Sequence, residues 1–109
     1  MTDQIAITSA TALVPTKHGS RYLQQLCKHW SHNLAVELTP EQGKVVFPKD
    51  VRGLSFPAAA VVTFRAKDDA LEVVVDASSA EQLDGLKRAV ASHLDRFAFR
   101  EAPLTFDWR

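Results

Sequence analysis

Apolar residues recur along this chain with two different periods, and the places where one gives way to the other outline its elements. From Ile5 to Val14 the residues are β-branched or small and the run ends at Pro15, which predicts a first strand near a sheet edge, where proline does least harm. From about His18 to His32, Tyr22, Leu23, Leu26, Cys27 and Trp30 fall at i, i+1, i+4, i+5 and i+8, one helical stripe that should be buried. Leu34 to Leu38 and Lys44 to Phe47 flank Thr39-Pro40-Glu41-Gln42-Gly43, a hairpin in which Pro40 presets φ and Gly43 closes the connection. Pro48 to Pro57 follows neither period and reads as the longest irregular segment, of the kind that is functional or mobile.

Ala60 to Ala66 and Leu71 to Asp76 flank Lys67-Asp68-Asp69-Ala70 and predict a second hairpin, with Leu71, Val73 and Val75 on a buried face against Glu72 and Asp76. Ser79-Ala80-Glu81-Gln82 has the spacing of a capping box, in which the serine oxygen accepts an amide and the glutamine reaches back. Leu83, Leu86, Val90, Leu94 and Phe97 then form a second helical stripe, which Pro103 brings to an end. Leu104, Phe106 and Trp108 alternate with Thr105, Asp107 and Arg109, as in a last strand with one buried face. The order β-α-β-β-β-β-α-β implies an α+β two-layer sandwich, with two amphipathic helices on one face of a largely antiparallel sheet.

A length of 109 residues fits a single domain over 1–109, and 46% hydrophobic with 24% charged residues is the make-up of an ordinary soluble globule. Thirteen basic residues balance thirteen acidic ones without a run of Lys or Arg, so nucleic acid and anionic membranes are not expected partners. The lone Cys27 has no internal disulfide partner, and no secretory leader or long apolar span is visible, so the expected location is cytoplasmic.

The candidate chemistry lies in two blocks, 20–32 and 93–101, which hold three of the four histidines and the single cysteine. His29 and His32 lie about 60° apart on a helix and could share a metal with His93 or Glu101, whereas Cys27 lies about 200° from His29 and cannot join them. Solvated helix histidines are the simpler reading of the same residues. His29 and His93 stand at the margins of the two stripes, and with Tyr22, Arg21 and Arg96 they could line a cleft for an anionic small molecule. Ordinary rim pairing with carbonyls, Asp95, Glu101 or water accounts for them equally simply. Lys17-His18-Gly19-Ser20-Arg21 opens a helix, where free amides favour an anion, but no nucleotide-cradle spacing accompanies it. Cys27 reads as core, and a Cys27–His93 pair lacks a visible orienting group or oxyanion site. Trp30, Phe97, Phe99, Phe106 and Trp108 could stack a planar ligand, but a domain this small needs them for its core.

The block Ser20-Arg21-Tyr22-Leu23-Gln24-Gln25-Leu26-Cys27-Lys28-His29-Trp30-Ser31-His32, the acidic hairpin Asp68-Asp69-Ala70-Leu71, and His93-Leu94-Asp95-Arg96-Phe97-Ala98-Phe99-Arg100-Glu101 with Asp107-Trp108 resemble the bacterial domain-of-unknown-function family 2218. The resemblance covers nearly the whole chain. It implies a free-standing small protein or module associated with siderophore-interacting flavin reductases, hence an iron-uptake setting, and it implies no defined activity or cofactor. The reading that follows is a non-enzymatic accessory or binding module, engaging a small anionic ligand or a reductase partner through Arg21, Tyr22, His29, His93 and Arg96. The alternative is a metal-dependent enzyme or iron-handling protein using His29, His32 and His93.

Overall fold

The structure is a computed structural model that describes residues 7–51 and 53–109. Its elements run β1 (Thr8–Pro15), α1 (Gly19–Trp30), β2 (Ala35–Leu38), β3 (Gln42–Phe47), β4 (Asp50–Val51), β5 (Leu54–Ser55), β6 (Ala60–Ala66), β7 (Ala70–Ala77) and α2 (Ala80–Phe97). Five strands form one antiparallel sheet in the order β1-β7-β6-β3-β2, and both helices lie on one face of it. This is the expected α+β two-layer arrangement, with β1 at an edge as Pro15 required. Ile5 and Ala6, at the start of the expected first strand, lie outside the described residues.

Register explains how the core assembles. Ala10, Val75, Val62 and Val45 are cross-strand neighbours, as are Ala12, Val73, Phe64 and Gly43, and both rows are buried. Against them α1 lays Tyr22, Leu23, Leu26, Cys27 and Trp30, and α2 lays Leu83, Leu86, Val90 and Leu94, so both sequence stripes are the buried faces. The other face of the sheet carries the alternating partners, such as Thr11, Val74, Thr63 and Lys44.

Four local expectations need correction. The first hairpin turns through Pro40 and Glu41 alone, with Thr39 N donating to Gln42 O at 2.8 Å, so β3 begins two residues earlier than expected. Gly43 therefore closes no turn. It sits inside a buried strand where a Cβ would stand 2.5 Å from Cys27 Sγ, and its missing side chain lets α1 approach the sheet. The segment Pro48 to Pro57 contains the short antiparallel pair β4-β5, whose turn uses Gly53 at φ 82°, a conformation that favours glycine.

The capping box is half formed. Ser79 Oγ accepts from Gln82 N at 3.1 Å, but Gln82 Oε1 accepts from Ser78 N and Ser78 Oγ, at 2.7 and 2.6 Å, and its Nε2 donates to Ala58 O. Gln82 thus ties the helix start to the segment before β6. Finally, Leu104 to Trp108 keeps its inward and outward alternation, but no ladder forms. Only Thr11 and Arg109 exchange backbone hydrogen bonds, at 2.8 Å each, because Leu104 N is taken by Asp95 Oδ1 and the segment meets β1 only at its end.

Candidate functional site

The two helices face each other along a seam that brings the two sequence blocks together. At one end of it, the ring centroids of His29 and His93 are 5.7 Å apart, with Trp30 5.2 Å from His93 and Phe97 5.9 Å from His29. His93 Nδ1 lies 2.7 Å from Ala89 O, and because a carbonyl only accepts, that nitrogen carries the proton and leaves Nε2 free in the neutral ring.

At the other end a polar cluster joins three elements. Tyr22 from α1 donates its hydroxyl to Glu101 Oε2, and Thr16, just after β1, shares its hydroxyl hydrogen between both carboxylate oxygens at 3.1 Å. Thr16 Oγ1 in turn accepts from His18 N at 3.0 Å. Burial, the hydrogen bond to Glu101 and the charge of Glu101 raise the Tyr22 pKa above its ordinary value, while the neighbouring Arg21 and Arg100 pull it down. Tyr22 is therefore a neutral donor.

Outside the seam, the exposed side of α1 forms an open groove of about 500 Å³ lined by Lys17, His18, Ser20, Arg21, Gln24, Gln25 and Lys28. Ion pairs among the described residues are Lys44–Glu37 and Arg109–Asp107, so Lys17, Arg21 and Lys28 form none with a described carboxylate. The groove is open, basic and polar, a surface suited to an anion held by charge and hydrogen bonds.

The family model for DUF2218, described as an uncharacterized protein conserved in bacteria, matches residues 11–109. The chain belongs to the DUF2218 family. This bears out the sequence resemblance over nearly its full length. The NMR structure of PA4090 from Pseudomonas aeruginosa is similar to this DUF2218 chain at a TM-score of 0.72 and 30% identity, covering 93% of this chain and 94% of that one. No curated protein matches the chain. The association with siderophore-interacting flavin reductases gains no support from either match.

Of the five residues expected to line one cleft of the DUF2218 chain, only Arg21 lines the groove. Tyr22 is buried on Glu101, His29 and His93 meet at the far end of the seam, and Arg96 is exposed on α2. The expected metal set is not assembled: among the described residues no three His, Cys, Asp or Glu side chains converge to hold an ion. His32 lies beyond the end of α1 at Trp30 and is exposed, which leaves His29 and His93 as a pair. No buried side-chain nitrogen or oxygen among the described residues lacks a partner, so no orphaned donor marks an interior ligand site. No described helix is long and apolar enough to cross a membrane.

Sequence reasoning placed Lys17 and His18 at a helix start whose free amides favour an anion, and gave Lys28 no role in a site. A readable signal was present, because no Asp or Glu occurs between Asp3 and Glu37, and Lys17, Arg21 and Lys28 all fall in that stretch. The balanced total charge conceals a basic first third.

Cys27 is fully buried, as expected, and burial pushes its thiol up to about 11 from an ordinary 9.0. The thiol is therefore inert as a nucleophile at neutral pH. A pKa raised in the folded state holds the proton that the unfolded chain releases, so this stability is intact below about pH 9 and is lost as pH rises toward about 11. Urea midpoints for the wild type should fall over that window by the equivalent of about 2 kcal/mol more than those of Cys27→Ala. Parallel pH profiles for the two proteins would show that the thiol ionises as freely in the folded chain as in the unfolded one.

Proposed function

We propose that this DUF2218 protein is a non-enzymatic binding module that holds a small anion on the basic face of α1. The observation that carries the reading is the 500 Å³ groove lined by Lys17, His18, Arg21 and Lys28, none of them ion-paired among the described residues, in a chain of zero net charge. Guanidinium and ammonium groups at its wall supply charge-assisted hydrogen bonds, while Ser20, Gln24 and Gln25 add neutral polar partners. Ser20 Oγ also donates to Pro40 O at 2.6 Å, fixing the first turn of α1 against the first hairpin.

A catalytic role has less to stand on. The buried thiol is protonated, the Tyr22 hydroxyl is committed to Glu101, and His93 packs on the His29 and Trp30 rings with Nδ1 held by Ala89 O. The iron-uptake setting implied by the family resemblance makes an anionic iron chelate the first ligand to try within this class.

The test is calorimetric titration with citrate, a small trianion, at low ionic strength. The wild type should bind, and Arg21→Ala with Lys28→Ala should weaken binding by about tenfold or more, since each charged hydrogen bond contributes about 1.5 to 3 kcal/mol. Arg96→Ala, on α2 and outside the groove, should leave the affinity nearly unchanged. Raising salt from 0.01 to 0.15 M should weaken wild-type binding, as the screening length shrinks from about 30 to about 8 Å. Equal affinities for the wild type and the Arg21, Lys28 double variant would remove the proposal.

A further inference from the structure

Glu101 is the carboxylate at the centre of a polar cluster between α1 and the turn after α2. Its two oxygens take the hydroxyl hydrogens of Tyr22 and Thr16, side chains 5% and 6% exposed, and neither oxygen is within ion-pair distance of a guanidinium. Arg21 is the chain neighbour of Tyr22, Arg100 is the neighbour of Glu101, and both are exposed. The His18 ring stands edge-on to Tyr22 at 6.1 Å, and His18 and Arg21 belong to the groove wall. The seat therefore adjoins the groove at His18 and Arg21, while the Arg100 guanidinium stands over the Phe99 ring at 5.7 Å.

Beyond the Tyr22 and Thr16 hydroxyls, no hydrogen bond or ion pair among the described residues uses the Glu101 side chain. The turn that carries it is fixed by backbone bonds from Ala98 N to Leu94 O and from Glu101 N and Ala102 N to Ala98 O, each 2.8 to 2.9 Å. Ala98 is buried at 1% exposure, and Leu104 N is anchored on Asp95 Oδ1 at 2.9 Å. The backbone of the turn is thus held by bonds that do not involve the Glu101 side chain.

We propose that Tyr22, Thr16, Arg21 and Arg100 form a carboxylate-binding seat that Glu101 fills intramolecularly in the free protein, and that the groove's ligand is a carboxylate that takes Glu101's place. This rests on the anion-binding reading of the groove and narrows its ligand class. Two hydroxyl donors already converge on a planar pair of oxygens, and the exposed Arg21 and Arg100, chain neighbours of Tyr22 and Glu101, are the charges that would neutralise an incoming carboxylate. Glu101 then acts as a competitor built into the chain, lowering apparent affinity by the fraction of time it occupies the seat.

Sodium acetate is the probe, followed by amide chemical shifts at constant ionic strength. Glu101→Ala empties the seat and should bind acetate on the order of tenfold more tightly than the wild type, with the largest shifts at Thr16, His18 and Tyr22. Adding Tyr22→Phe should take back most of that gain. Glu101→Gln keeps the shape and an accepting oxygen, so it folds with the turn intact, and it should also bind acetate more tightly than the wild type because a neutral amide is displaced more easily than a carboxylate. Acetate affinity equal to wild type in both variants, or shifts centred away from Thr16 and Tyr22, would overturn the seat. Tighter binding of inorganic phosphate than of acetate by Glu101→Ala would overturn the carboxylate class. Citrate binding by the wild type, weakened by Lys28→Ala, a groove residue outside the seat, tests the groove separately, so either claim can fail alone.

Discussion

Trp30→Ala should destabilise the protein by about 3 to 5 kcal/mol, a third or more of the total stability of a small domain. Trp30 is 7% exposed and lies in the last turn of α1, where it meets three other elements at once. Its ring is edge-on to Phe47 of β3 at 5.0 Å, tilted over Phe64 of β6 at 6.4 Å, and 5.2 Å from His93 of α2. Truncation removes a large buried area and leaves a cavity between helix pair and sheet that such a small core cannot close. The specific ring pairs add about 0.5 to 1.5 kcal/mol each. Trp108, half-buried near the chain end against Phe106 and under Lys87, gives the comparison. Trp108→Ala should cost well under half as much in urea denaturation, and equal costs would mean that Trp30 does not join the two layers.

Gly43→Ala should cost about 1 to 3 kcal/mol, and Cys27→Ala should relieve most of that cost. A methyl at Gly43 meets Cys27 Sγ at 2.5 Å, far inside contact distance, and the thiol is fully enclosed, so the helix must lift or the strand bend. The next nearest atoms, the Cδ1 atoms of Leu23 and Leu38, are at an ordinary 3.8 Å, so the clash is with the sulfur alone. In the Cys27→Ala background the new methyl enters space the sulfur has left. A double-mutant cycle measured by urea unfolding reads this directly. A coupling near zero would mean that the helix approaches β3 less closely than the structure has it.

These two residues mark the boundary of what could be read from sequence. Trp30 was legible because its position at i+8 from Tyr22 belongs to a periodic stripe, and periodicity reports burial whatever the partner. Gly43 was misread because a glycine after Thr39-Pro40-Glu41-Gln42 satisfies turn chemistry so well that its packing role is hidden. Only the register of β3 under α1 shows that the constraint comes from a thiol sixteen positions away in sequence. Elements shorter than one period leave no pattern, so β4 and β5 were invisible, and Gln82 found a better partner in Ser78 than its own helix cap.

The site was less legible than the fold. The two helices that carry the candidate residues pack on each other, and His29 and His93, placed by sequence at the rim of the core, lie 5.7 Å apart between ring centroids. Sequence reasoning also gathered Arg21, Tyr22 and Arg96 into one cleft with them, whereas the structure separates a histidine end, a Tyr22–Glu101 end and an outer groove. Helix positions fix angles but not which neighbour a side chain meets, and the return of Glu101 onto Tyr22, 79 positions earlier, depends on the turn after α2.

The central claim is that α1 presents an anion site, and amide chemical-shift mapping of the wild-type protein during citrate titration tests it most directly. The account predicts saturable shifts concentrated from Lys17 to Lys28, weakened by salt and lost in the Arg21→Ala, Lys28→Ala protein. Saturable shifts confined to the open face of the sheet or to the β4-β5 hairpin, or none at all, would contradict it.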